Sequence, residues 1–159
     1  MRATEFITEL FEPGTALPLE WTTTSRPVAD GYHPKQVTLA QHIDKEGKAL
    51  TINFYPYANN SIVDIMFDYA GSVKITGAGN AVQVFATVLS AINKYINAKH
   101  PYMISFSANE PSRVKLYQHL IKRLSGKYEL LPPNKYPSDE ELRNAQHGVG
   151  TFFLLKRRA

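Results

Sequence analysis

Gly77-Ala78-Gly79 stands between a run of β-forming residues and a run with helical spacing. The first N–H groups of a helix have no partner within it, and the positive end of the helix dipole lies there. Glycines just ahead of such a start let the backbone approach a phosphate with no side chain in the way. The motif alone fits either an anion-binding turn or a plain tight strand-to-helix turn. It is not a P-loop, because no Gly-Lys-Ser/Thr follows. It is not a dinucleotide fingerprint, because the third glycine is missing and the strands before it read as antiparallel. Other chemistry is poorly supplied. The five histidines (33, 42, 100, 119 and 147) show no metal-ligand spacing. There is no Gly-x-Ser-x-Gly elbow. With no cysteine, disulfides, thiolate metal sites and a cysteine nucleophile are excluded.

The elements that must position the glycine turn read as follows. Leu19 to Thr24, Gln36 to Ile43, Ala49 to Tyr57 and Ile62 to Tyr69 are predicted strands, with Ser72 to Thr76 a short fifth. Turns at Lys45-Glu46-Gly47, Asn59-Asn60 and Ala70-Gly71 make them an antiparallel meander. Pro56 suggests an edge or a bulge at the end of its strand. In Ile62 to Tyr69 the pattern alternates, so Asp64 and Asp68 fall on the face opposite Val63, Ile65, Phe67 and Tyr69 and are expected to be solvated. After the glycines the period changes. Apolar residues at 85, 88, 89, 92, 95 and 96 predict a helix from a cap at Asn80 to about Asn97. Met103 to Ala108 is a predicted buried strand. Ser112 or Asn109 is expected to cap a second helix that has Pro111 in its first turn. Its apolar stripe is expected at Val114, Tyr117, Leu120, Ile121 and Leu124, and Ser125-Gly126 stops it. Tyr128 to Leu131 and Thr151 to Lys156 are predicted strands around a long polar loop, 132–150, with a helical turn at Ser138 to Ala145. Phe6 to Phe11 is a helical turn or a short strand, and Pro27 to Pro34 is a loop.

The chain has 159 residues, 43% of them hydrophobic, which suits one globular domain with a core. Met1 to Phe6 does not read as a secretion signal, and no apolar run approaches a membrane span. A cytoplasmic protein with no membrane partner is expected. The net charge is +4, yet ten basic residues face four acidic ones from Arg113 onward, so the first 112 residues are slightly acidic. The basic third admits an anionic cofactor or nucleic acid, beside the plainer reading of solvated lysines and arginines.

Order and motif together resemble the GNAT family of acyl-CoA N-acyltransferases. That family places a loop of pattern Gln/Arg-x-x-Gly-x-Gly/Ala after antiparallel strands and before a helix; a strand, a helix and two strands follow. Lys74-Ile75-Thr76-Gly77-Ala78-Gly79 is similar to that loop, with Lys in the first place. Asn109-Glu110-Pro111-Ser112-Arg113-Val114-Lys115-Leu116-Tyr117 is similar to the family's next helix start, which carries Leu-Tyr about two turns in. Phe85-Ala86-Thr87-Val88 together with Phe106-Ser107-Ala108 and Ser112 to Tyr117 also resembles small GNAT-like proteins encoded by phages. The element order covers roughly residues 36–159. In two respects the chain departs from the pattern: Asn109 lies one residue farther from Tyr117 than usual, and no Gly-Phe follows the tyrosine.

The resemblance implies a single GNAT-like α+β domain, with a mixed central sheet, an antiparallel N-terminal meander and two main helices packed on the sheet. It implies acetyl-CoA as co-substrate, no metal, and an amine acceptor that attacks the thioester directly. Lys74, Ile75, Thr76, Gly77, Ala78, Gly79, Asn80, Ala81 and Asn109 would be the cofactor contacts. Tyr117 would protonate the leaving thiolate, for which its pKa of about 10 is suited; its spacing also fits plain packing on the helix stripe. A base is needed for the acceptor ammonium. Asp64, Asp68 and Glu110 are the candidates, and Glu110, at the end of the buried strand, is the better placed. Residues 1–35 and 132–150 would build the acceptor site. Two other readings stand beside this one: a GNAT-like module without catalysis, serving as a binding or phage accessory protein, and a nucleic-acid-binding protein. A homodimer is compatible with each.

Overall fold

The computed structural model describes residues 16–26, 35–57, 61–69, 78–108, 111–146 and 150–159. Seven strands are present: β1 (Glu20–Arg26), β2 (Lys35–Ile43), β3 (Ala49–Tyr57), β4 (Ile62–Tyr69), β5 (Met103–Ala108), β6 (Tyr128–Leu130) and β7 (Thr151–Arg157). The helices are α1 (Ala78–Lys99), α2 (Pro111–Arg123) and the short α3 (Glu140–Gln146), with a 3-10 turn at Pro133–Lys135. The sheet runs in the order β1-β2-β3-β4-β5-β7-β6. β4 and β5 are parallel, while β7 is antiparallel to both β5 and β6. The architecture is α+β with a mixed sheet and two main helices.

Alternation sets the strands. In β3, Leu50, Ile52 and Phe54 are fully buried, and the residues between them are less so. The link from β2 to β3 is a built turn. Asp44 Oδ1 accepts from the N–H groups of Glu46 (2.9 Å) and Lys48 (2.8 Å), and Gly47 takes a positive φ of 83°. β3 has neighbours on both sides, which corrects the expected edge at Pro56. Proline is tolerated there because it is the next-to-last residue of the strand, where the ladder is ending.

The chain forms two compact units, and β1 to β4 each contribute residues to both. One takes the residues up to Thr22, Leu39–Ile52 and Phe67–His100; the other takes Thr23–Thr38, Asn53–Met66 and Pro101–Ala159. In the first, α1 buries Val84, Val88, Leu89, Ile92, Tyr95 and Ile96, and the small residues Ala86, Thr87 and Ala91 widen the buried stripe. The Thr87 hydroxyl accepts from the Leu17 N–H (2.8 Å) and donates to the Gln83 carbonyl (2.7 Å), so its full burial leaves no polar atom unmet. The helix runs two residues past the expected end. His100 then takes a left-handed φ of 48° and donates its N–H to the Ile96 carbonyl (2.8 Å), and Pro101 prevents continuation.

In the second unit, β5 has β4 on one side and β7 on the other, the latter in register from Met103↔Lys156 to Ala108↔Thr151. The buried stripe of α2 is Arg113, Leu116, Tyr117 and Leu120, continued by Leu124 just past its end. This corrects the sequence reading, which placed Val114 and Ile121 in the stripe; both are half-buried. The helix is rotated so that Arg113 and Leu116 turn inward, an arrangement that charge patterning alone argues against. Within the expected loop, Pro133–Lys135 forms a 3-10 turn and Glu140–Gln146 a helix. Leu131 and Leu142 pack with Tyr57, Ile62, Met103 and Leu154, and Tyr136 and Phe152 lie against that cluster. Asp139 caps α3 by accepting from the Leu142 N–H (3.0 Å). Among the described residues, no helix is long and apolar enough to cross a membrane.

Candidate active site

β3, β4 and β5 bring a carboxylate and two hydroxyls together. The parallel register sets Ile62 opposite Met103, Val63 opposite Ile104 and Asp64 opposite Ser105. Among the described residues the pairing spans those three positions, and both strands run on past it. At the last position the Ser105 hydroxyl donates to Asp64 Oδ1 (2.8 Å), and the Tyr57 hydroxyl donates to Ser105 Oγ (3.0 Å). Ser105 is fully buried and Tyr57 nearly so. Burial pushes the Asp64 carboxyl up to about 6, against the opposing pull of the Ser105 hydrogen bond. A carboxylate so tuned can take up a proton near neutral pH.

The next residue of β5 faces the other way. Phe106 stacks on Tyr117 of α2 at 4.8 Å between ring centroids, tilted by 30°. Tyr117 is only 1% exposed, and burial raises its hydroxyl pKa. The Arg113 guanidinium, one turn earlier and 8% exposed, hydrogen-bonds the phenol and counteracts that rise; the Asp64 charge adds to it. Asp64 and Tyr117 thus sense each other although they arise from opposite faces of the sheet. Two titratable groups with different surroundings, a carboxyl near neutrality and a phenol held protonated, flank the place where the β4–β5 pairing ends. Such a pair can divide the roles of proton acceptor and proton donor.

The sequence-predicted residues are distributed as follows. Ala78, Gly79, Asn80 and Ala81 form the first turn of α1, so their N–H groups are those that lack intrahelical partners. Asn80 is therefore inside the helix, which corrects its reading as the cap. Lys74, Ile75, Thr76 and Gly77, with the strand expected at Ser72 to Thr76, lie outside the described residues, as do Asn109, Glu110, Phe6 to Phe11 and Pro27 to Pro34. Asp64 is half-buried and hydrogen-bonded, which corrects its reading as a solvated carboxylate. Ser105, Tyr57 and Arg113 were not singled out as site residues. Ser105 offered one signal, a hydroxyl in the otherwise apolar centre of a buried strand. Arg113 and Tyr57 offered none, since a lone arginine on a helix reads as solvated and an aromatic on a strand reads as core. Among the described residues, no group of three His, Asp or Glu is placed to hold a metal.

Residues 44–130 match the model of a family described as a family of unknown function, DUF6934, which spans more than half of the chain. The chain belongs to this family. The matched region contains Tyr57, Asp64, Ser105, Arg113 and Tyr117, together with the start of α1. No curated protein and no solved structure matches the chain.

Proposed function

We propose that this DUF6934 member has a GNAT-like fold and transfers an acetyl group from acetyl-CoA to an amine. The observation that carries the reading is the Asp64 carboxyl, pushed up to about 6 by burial, electrostatically coupled to the buried phenol of Tyr117. The element order supports it, as does the parallel β4–β5 pair, whose register covers three positions before the strands run on. Asp64 takes a proton from the acceptor ammonium. The freed amine nitrogen forms a bond to the thioester carbonyl carbon, the carbon–sulfur bond breaks, and Tyr117 gives its proton to the departing thiolate, its transient phenolate recovering a proton from the nitrogen, which so becomes the neutral amide. Arg113 stabilises the phenolate through the hydrogen bond it already makes. The first N–H groups of α1, with Gly77, would hold the pyrophosphate. Asp64 replaces Glu110 as the proposed base, because its surroundings supply the required ionisation.

The low exposure of Tyr117 favours one second reading, a GNAT-like module in which that phenol only packs. Release of CoA thiol from acetyl-CoA, followed across a panel of amines, decides between them. Catalysis predicts that Tyr117→Phe lowers kcat by about tenfold or more with little change in KM. A variant with full kcat would remove Tyr117 as the acid while leaving the transfer, and a wild-type protein that releases no thiol with any amine would leave the module reading.

A further inference from the structure

We infer that Ser105 and Tyr57 are positioning residues that fix the Asp64 carboxylate, holding Oδ1 so that its proton is taken up at Oδ2. The inference rests on Asp64 acting as the base of the proposed transfer. Its ground is a hydrogen-bond chain with one direction. A serine hydroxyl has a single proton. Ser105 gives that proton to Asp64 Oδ1 at 2.8 Å, and Tyr57 gives its own to Ser105 Oγ at 3.0 Å. Protonating Oδ1 would place two hydrogens between Asp64 and Ser105, so Ser105 would have to turn away and accept. Oγ already accepts from Tyr57, and on turning, the Ser105 proton would lose the Oδ1 acceptor it now has.

The chain is also held at both ends. Asp64 and Ser105 are partners in the parallel register, so the backbone fixes their separation. The Tyr57 ring is packed with Ile62, Met103, Leu131, Leu142 and Leu154, so its hydroxyl cannot swing away without opening that cluster. The polar groups that act on Asp64 come from three elements: Tyr57 of β3 and Ser105 of β5 on its own face, and Tyr117 with Arg113 of α2, which couple to it by charge from the other face. Of these, Ser105 makes the hydrogen bond that favours the charged form and opposes burial.

The test is a carbon-13 NMR titration of the Asp64 side-chain carboxyl in the full chain, with the signal assigned by its loss in Asp64→Asn. A hydrogen bond to a charged group predicts that Ser105→Ala raises the midpoint by about one pH unit or more. Tyr57→Phe is expected to raise it by less, and Ser105→Thr, which keeps the hydroxyl, to restore it. If transfer is measurable, the acid limb of kcat/KM moves with the midpoint. A midpoint unmoved in a folded Ser105→Ala protein, or moved equally by Ser105→Thr, would overturn the inference. The outcomes separate the two proposals. A shifted midpoint in a protein that turns over no acetyl-CoA upholds the positioning of Asp64 and removes the acyltransferase reading. Turnover with an unmoved midpoint does the reverse.

Discussion

Ser105 and Phe106 are neighbours in β5, yet they lead into opposite kinds of surroundings. On the Ser105 side the contacts are hydroxyls and a carboxylate: Tyr57, Ser105 and Asp64 in a directed chain. On the Phe106 side the contact is a ring stack with Tyr117 on an apolar helix stripe. Phe106 is explained by packing, which stabilises the fold whatever the protein does. The half-buried, ionisable Asp64 is not, because burying a carboxylate in preference to an apolar residue costs stability. The contrast separates the residue that makes the unit stand from the residue the unit holds at a cost.

Substitutions on the two sides should therefore have opposite signs. The largest effect is expected from Phe106→Ala, which removes a fully buried ring. It should destabilise by about 3–5 kcal/mol in denaturant unfolding, at any pH. A loss below about 1 kcal/mol would show that the Phe106 side is not the structural one.

Asp64→Asn should do the reverse and stabilise. The folded protein holds the Asp64 proton to about pH 6, whereas an unperturbed carboxyl releases it near 3.8. Between those values the folded state binds more protons than the unfolded state, so this residue's contribution falls as pH rises. The loss is complete a little above pH 6 and amounts to about 2–3 kcal/mol. Asn does not titrate. Its advantage over the native protein should be near zero at pH 3.5, grow through pH 4–6, and stay constant above pH 7. Unfolding free energies that run parallel for the two proteins across this range would remove the assigned ionisation of Asp64.

How far this was legible beforehand differs between the two sides as well. The strands and both main helices follow from periodicity, because alternation and 3.6-residue spacing are imposed by burial itself. That is why Ala49–Tyr57, Ile62–Tyr69 and Met103–Ala108 match the structure to the residue. Tyr117 was legible as a buried stripe residue for the same reason. Asp64 was misread because strand alternation says which face a residue takes, not whether that face is covered. Its cover comes from other elements, Tyr57 and Ser105 on the neighbouring strands and Leu131 and Leu142 packing with Tyr57. Arg113 was missed because its burial depends on the rotation of α2, which one inward charge shifts away from the stripe that apolar residues alone suggest. The start of α1 was legible as a glycine turn, though the helix begins earlier than the Asn80 cap implied.

The proposed transfer requires that the chain bind acyl-CoA, which isothermal titration of the purified protein with acetyl-CoA and with CoA measures. Micromolar affinity is expected for either. Loss of that affinity is expected in folded Gly79→Glu, where a side chain and a negative charge would stand at the helix N-terminus. No heat of binding at millimolar ligand, or an affinity that Gly79→Glu leaves unchanged, would contradict the proposal.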